Sequence, residues 1–430
     1  MKQFILFICL LVVFPCSIIA RDPTQRALMK HLAQAANKRG LISNETFINT
    51  MFQTFRNNHP RRYRALDNET ERYQIFQNRL KAAIESTIET NLTFKYGLNK
   101  FSDWPPHELQ VLRGTRPPPP TAKTNYVTMT FSRTKQTRLS KKKQRKEPSQ
   151  SSTTTPATLT STTSATFTTT TPATDVYTVP DTFDYTTRVS ALNTNVSIIR
   201  PIRDQGYCGS CYAFAIITLF EAQYAFYYGQ AANMSDQQII DCSTGDSGCL
   251  GGYFDKSFAY VQGYNWYLNS ALKYPYRANS STCAAKTTDG WSVGNSVYRH
   301  ITPKNVTDMQ EALVTYGPLW ISLYVGSDCS GSAKSSCPVD PTVASKIMAK
   351  FQGYTSGVFK MDGCITSASN NNHAMVIVGY GHDLELGLDY WKLRNSWGPE
   401  WGEDGYVRIQ RGVNMCNVES DAFFIAKPAS

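Results

Sequence analysis

Between residues 203 and 229 the chain reads RDQGYCGSCYAFAIITLFEAQYAFYYG, and this stretch restricts the possible folds more than any other. From Cys211 to Tyr228 almost every position is apolar on every face, so the segment reads as a helix buried in a core, stopped by a C-capping Gly229. Cys211 then sits on the first turn. A thiol attacks only as its thiolate, and a helix N-terminus beside a cationic imidazole is the usual way to lower its pKa.

The imidazole must come from elsewhere, and after residue 180 the only histidines are His300, His373 and His382. His373 lies in NNHAMVIVGYG, where a β-rich apolar run follows directly, so a rigid strand edge would hold the ring. Further on comes YWKLRNSWGPEWGEDGYVRI. There Asn395 can bond the far ring nitrogen and fix the tautomer, with Trp397 covering that contact from water. Taken singly, Cys208 and Cys211 also read as a redox CxxC pair, His373 as a core histidine, Asn395 as a turn residue and Gly251–Gly252 as an ordinary turn. A redox pair, however, has no use for the NNHA and NSWG motifs.

With Cys211, His373 and Asn395 in that order, and CGSCY around the first, the sequence resembles the papain family of cysteine proteases. His373 and Asn395 lie further from Cys211 than the roughly 130–150 residues usual for that family, so the chain carries insertions. The resemblance implies an α+β, papain-like two-subdomain fold: a helical half led by the Cys211 helix, a half of antiparallel strands from about Leu319, and a cleft between. It makes Gln205 the side-chain donor of an oxyanion hole, together with the backbone N–H of Cys211, and it makes Gly251 and Gly252 the edge that pairs with an extended substrate. It puts Asp421 at the base of the pocket for the side chain two positions before the cut, in an otherwise apolar lining, with Ser322 and Asn371 as further lining. A buried carboxylate there favours basic as well as hydrophobic side chains; the alternative is that Asp421 faces solvent. No metal or organic cofactor is implied.

The chain opens with Met1, Lys2 and FILFICLLVVFP, ending near Ala20, the pattern of a secretory signal peptide over residues 1–20, with an uncleaved anchor as the other reading. No other stretch is apolar and long enough to span a membrane. The other nine cysteines lie between residues 208 and 416, which suggests one reactive thiol and four bridges. By the resemblance Cys208 pairs with Cys249, Cys242 with Cys283 and Cys364 with Cys416, leaving Cys329 and Cys337. Asn44, Asn68, Asn91, Asn195, Asn233, Asn279 and Asn305 head N-glycosylation sequons, in keeping with the secretory route to a lysosome-like compartment or the exterior.

Residues 21–116 read as a small helical unit from the spacing in ALMKHLAQAA and ETERYQIFQNRLKAAIEST. An independent helical domain is one reading. The other is the family's inhibitory propeptide: Arg72, Ile75 and Phe76 match its helix pattern and Asn78 falls one place early, while Gly97, Asn99, Phe101 and Asp103 match its second motif. Such a propeptide runs through the cleft against the substrate direction and is expected to come off in acid. Residues 117–178, rich in Pro, Ser and Thr, read as a disordered tether whose basic block, Lys141, Lys142, Lys143, Arg145 and Lys146, suits processing. Residues 179–430 would be the protease domain. They carry a net charge of −4, against +15 for residues 1–178, so a nucleic-acid function has no basic patch on the domain.

The expected partners are therefore protein or peptide substrates and the chain's own propeptide, with a monomeric enzyme. The short Cys249 to Cys283 interval leaves no room for a large cleft-capping loop, which favours endopeptidase action. Two rivals remain at this point, a catalytically silent papain-fold binding protein and a transglutaminase-like transferase; the latter class usually orients its histidine with an aspartate.

Overall fold

The computed structural model describes residues 40, 43–59, 68–88, 92–115, 128–129, 179–327, 339–364 and 367–427. The N-terminal helix α1 (Glu45–Asn58) starts where the Asn44 side chain accepts the Phe47 N–H, and its buried face is Phe47, Ile48, Met51, Phe52 and Phe55. Phe52 and Phe55 meet Phe76 of α2 (Glu69–Ile88), with ring centroids 5.2 and 5.0 Å apart. The sequence reading recovered α2 but missed α1, because its threonines and asparagines are weak helix formers and mask the period of its five buried apolar residues. The ALMKHLAQAA segment lies outside the described residues.

Arg72 of α2 is buried, so its charge must find partners. It forms an ion pair with Glu108 at 2.6 Å and donates to the Asp103 carbonyl at 3.2 Å. Both partners belong to the segment after α2, and the contact folds that segment back over the helix.

Ten strands make the main sheet: β1 (Phe94–Tyr96), β2 (Thr128–Met129), β3 (Phe183–Asp184), β4 (Val297–Ile301), β5 (Leu319–Leu323), β6 (Tyr354–Phe359), β7 (His373–Asp383), β8 (Leu388–Arg394), β9 (Tyr406–Gln410) and β10 (Ala422–Ala426). Their order is β1-β6-β9-β8-β7-β5-β10-β4-β2, with β3 beside β7. The expected antiparallel strands from Leu319 are present as β5, β7, β8, β9 and β10; β1, β2, β3 and β4 from earlier in the chain also join them, and the β6–β9 and β2–β4 pairs are parallel. The tether was expected to be without structure from residue 117, yet Thr128 and Met129 pair with His300 and Ile301. The YVTMTF run around them has high β-propensity, and β4 would otherwise present an open sheet edge.

The apolar segment forms helix α3 (Cys211–Tyr228), ended by Gly229 in the left-handed region at φ 60°. It packs on β7, β5 and β10 from one side, with α4 (Asp236–Cys242) and α5 (Phe254–Gly263) on the other. Its one buried carboxylate, Glu221, is held by Arg203 at 3.0 Å and by the Met234 N–H. Helices α6 (Val306–Tyr316) and α7 (Pro341–Gln352) flank the sheet.

Disulfides join Cys208 to Cys249, Cys242 to Cys283 and Cys364 to Cys416, the pairings that the family resemblance implied. Cys329 and Cys337 lie outside the described residues. Among the described sequons, Asn44, Asn68, Asn195, Asn233 and Asn279 are exposed and Asn305 is half-buried, while Asn91 is outside them. Asn44, Asn68 and Asn305 cap turns through Oδ1, which leaves the amide nitrogen, the atom that glycosylation modifies, out of those bonds. Among the described residues no helix is long and apolar enough to cross a membrane.

Removing one partner of a buried ion pair strands the other, at a cost of about 3–5 kcal/mol. Arg72→Ala is therefore expected to loosen the N-terminal unit in the full-length protein, seen by thermal unfolding and by faster limited proteolysis of residues 43–115.

Candidate active site

Cys211 opens α3, and its Sγ accepts the backbone N–H of Ala374 at 3.3 Å, which fastens the helix start to β7. His373, the first residue of β7, is the neighbour of Ala374, so one strand supplies both the contact to the sulfur and the imidazole. Asn395 lies just past the end of β8, which pairs with β7, and its Oδ1 meets His373 Nε2 at 2.9 Å. The same Oδ1 accepts the Ser396 N–H at 2.8 Å, which turns the amide oxygen toward the ring. Nε2 must then carry the hydrogen, and Nδ1, which has no hydrogen-bond partner among the described residues, is left as the acceptor. Trp397 lies over the imidazole with ring centroids 4.8 Å apart, and both side chains are fully buried.

Gln205 approaches from the loop before α3. Its Oε1 accepts the Ser396 hydroxyl at 2.7 Å, so its Nε2 faces the cleft, donating to Cys208 O at 2.8 Å and Leu112 O at 3.2 Å. Leu112 belongs to the N-terminal unit. The segment continues as Arg113, Gly114 and Thr115: the Gly252 N–H donates to Gly114 O at 2.7 Å, Thr115 pairs in parallel with Gly252, and the Thr115 hydroxyl lies 3.7 Å from Cys211 Sγ. Residues 112–115 thus fill the space between the Gly251–Gly252 edge and the His373 strand.

That filling removes water from both reactive groups. Burial pushes the Cys211 thiol up, against hydrogen bonds from Ala374, Thr115, Gly114 and Tyr212. Burial brings the His373 imidazole down to about 4; the Asn395 bond and the Leu112 carbonyl oppose this and the Arg113 guanidinium adds to it. With residues 112–115 in place, thiol and imidazole are both neutral at neutral pH.

Asp421 is buried, which excludes the solvent-facing alternative. Its Oδ2 accepts the hydroxyls of Tyr253 at 2.6 Å and Ser322 at 2.7 Å, and its Oδ1 meets His300 Nε2 at 3.2 Å. Asn371 donates to the Ser322 hydroxyl and carbonyl and accepts from Asn417. The surroundings expected to be apolar are polar on this side. Ser322 holds the carboxylate and Asn371 holds Ser322; Tyr253, next to the Gly251–Gly252 pair, and His300, from a distant strand, were not singled out from sequence.

A family model described as papain family cysteine protease matches residues 179–335 and 332–426. The chain belongs to this family. A second model, the cathepsin propeptide inhibitor domain, matches residues 52–109. Among curated relatives of this papain-family chain are oryzain gamma chain of Oryza sativa subsp. japonica, 33% identical over 229 residues, and pro-cathepsin H of Medicago truncatula, 32% identical over 223. These matches cover 53% and 51% of this chain, and the chain spans 56% of the length of each relative. Among solved structures, a digestive procathepsin L 3 of Tenebrio molitor shares the fold with TM-score 0.62 and 23% identity, covering 88% of this chain and 99% of the other. Recombinant stem bromelain precursor gives TM-score 0.61 at 22% identity, over 89% and 99%.

Tyr212, which follows the cysteine, is fully buried and its hydroxyl donates to Gly248 O at 3.0 Å. Its ring lies 2.4 Å from where a Cβ on residue 252 would stand, so Gly252 must be glycine for the edge to exist. Gly114 faces a similar limit, since a Cβ there would fall 1.7 Å from the Gly209 carbonyl. Gly114→Ala should lift residues 112–115 out of the cleft. Alkylation of Cys211 by iodoacetamide in the intact variant is expected to run at least about tenfold faster than in the unmodified chain, the gain following from a re-solvated thiol.

Proposed function

We propose that the chain is a cysteine endopeptidase made as a secreted or lysosomal zymogen, with residues 1–20 as signal peptide, 21–116 as inhibitory propeptide, 117–178 as linker and 179–430 as the protease. The observation that carries this reading is the Leu112 carbonyl resting on Gln205 Nε2 beside Cys211, a peptide carbonyl already lying against the amide that would stabilise an oxyanion.

In the proposed cycle, departure of residues 112–115 lets water and substrate in, and the Cys211 proton passes to Nδ1 of His373. The thiolate attacks the scissile carbonyl carbon, forming the S–C bond. Gln205 Nε2–H and the Cys211 N–H stabilise the oxyanion, and the His373 imidazolium gives its proton to the departing amine as the C–N bond breaks. His373 then takes a proton from water, which cleaves the thioester and regenerates the pair. Asn395 keeps Nε2 protonated throughout, and Trp397 keeps that bond dry. Gly251 and Gly252 would pair with the substrate backbone, an edge that Gly114 O occupies in the zymogen.

The pocket over Asp421 is proposed to take basic as well as hydrophobic side chains two positions before the cut, with Ser322 fixing the carboxylate and Asn371 fixing Ser322. The sequons are proposed glycosylation sites, the compartment lysosomal or extracellular, and the mature enzyme a monomer.

The deciding experiment is labelling of the acid-treated protein with an irreversible epoxysuccinyl thiol inhibitor, read by mass, with Cys211→Ala as control. One adduct per chain at Cys211 is expected, and no adduct after propeptide removal would leave a silent binding protein. Gln205→Ala should lower kcat by about 10²–10³ while labelling persists. For the pocket, Asp421→Ala should lower the Arg-to-Leu ratio of kcat/KM on paired peptides by about tenfold. An unchanged ratio would end the basic-pocket reading.

A further inference from the structure

The adjacent strands β7, β5, β10 and β4 carry, at neighbouring positions, the start of one polar chain. Asn371 lies just before β7, Ser322 sits in β5, Asp421 immediately precedes β10, and His300 sits in β4. Tyr253 reaches the same carboxylate from beside the Gly251–Gly252 edge. The two oxygens of Asp421 are not equivalent. Oδ2 accepts two short hydroxyl bonds, at 2.6 and 2.7 Å, which lock the plane of the group and take up its lone pairs. Among the described residues Oδ1 has one partner, His300 Nε2, at the longer distance of 3.2 Å. The imidazole is held in turn by Phe423, with ring centroids 4.7 Å apart, and it stays only 12% exposed.

A guanidinium or ammonium entering this pocket therefore has a single oxygen to pair with, and His300 already donates to it. We propose that His300 is a specificity-determining residue that competes with the substrate's cation for Oδ1 of Asp421. It tilts the enzyme toward peptides with neutral side chains two positions before the cut and admits Arg or Lys only when they displace the imidazole donor. The inference rests on the reading of Asp421 as the pocket floor. Its chemistry is plain competition between donors: a buried carboxylate oxygen bonded to an internal donor offers a ligand only the difference between two hydrogen bonds, whereas an unoccupied one offers the full charge-assisted bond.

The test uses the activated enzyme and paired peptides that differ only in Arg or Leu at that position. His300→Phe keeps a ring against Phe423 and deletes the donor; His300→Leu deletes it with a different shape; His300→Gln returns an N–H donor close to where Nε2 stood. The donor deletions are expected to raise the Arg-to-Leu ratio of kcat/KM at least about fivefold, mainly through a lower KM for the Arg peptide. His300→Gln should keep the ratio within about twofold of the parent, and adding Asp421→Ala to His300→Phe should erase the gain. Thermal unfolding identifies any variant that fails to fold, and the other deletion then decides. The proposal is overturned if both folded deletions leave the ratio unchanged or lower it while Asp421→Ala alone still lowers it. In that case the carboxylate recognises the cation and His300 only packs. A ratio indifferent to Asp421→Ala sinks the pocket reading itself, and this inference with it.

Discussion

The structure depends on one contact, the seating of a helix with no polar face onto the middle of a sheet. Because α3 is apolar all round, it cannot lie at a surface, and burying it forces α4 and α5 onto one flank and β7, β5 and β10 onto the other. The Ala374 N–H to Cys211 Sγ bond pins the helix start against the first residues of β7. Everything chemical follows from that placement. The thiol is at a helix N-terminus, the imidazole is one residue from the sulfur's hydrogen-bond donor, and the orienting Asn395 enters from the strand paired to β7.

The N-terminal unit is built on a weaker logic and shows it. Its core joins aromatic rings and a few aliphatic side chains from two amphipathic helices around the buried Arg72–Glu108 ion pair, rather than resting on a helix apolar all round. It gains from the protease part what it lacks alone. β1 adds to the sheet edge at β6, Phe101 packs against Trp397 with centroids 5.7 Å apart, and the Asn99 amide donates to Gln352 O. Phe101 and Asn99 are residues of the GLNKFSD motif, and Trp397 is the lid over the His373–Asn395 bond. The same tryptophan that dries the site thus also receives the propeptide.

The chain of residues that make the site was legible in the sequence, because each sits in a local pattern with its own signal: a helix start, a strand start, an NSW turn and a glycine pair. Asp421, Ser322 and Asn371 were placed in one pocket by the family resemblance, but Tyr253 and His300 were not. His300 meets Asp421 through the strand order β5-β10-β4 and Tyr253 from beside the Gly251–Gly252 edge, a long-range arrangement with no local trace. Helix α1 was missed for a different reason, since threonine and asparagine mask the period that five buried apolar residues carry. The edge strand at Thr128–Met129 was hidden by its neighbourhood: low-complexity composition on both sides made a short β-prone run look like part of a tether.

The buried, neutral state of Cys211 and His373 bears on how such a precursor senses its surroundings. When residues 112–115 leave, the proposed reaction needs a proton to move from sulfur to nitrogen, and that proton never leaves the site. Near neutral pH the proton count of the pair is the same before and after, so by linkage the exchange of a neutral pair for an ionic one adds no pH dependence to release there. A response of the precursor near neutral pH must then be written in groups away from the thiol. Two sets of ion pairs lie there: Glu108 and Asp103 close on Arg72 within the propeptide, and Lys100 of the propeptide meets Asp204 of the protease part. Catalysis and release would thus be tuned by separate sets of ionisable residues, free to change independently of one another.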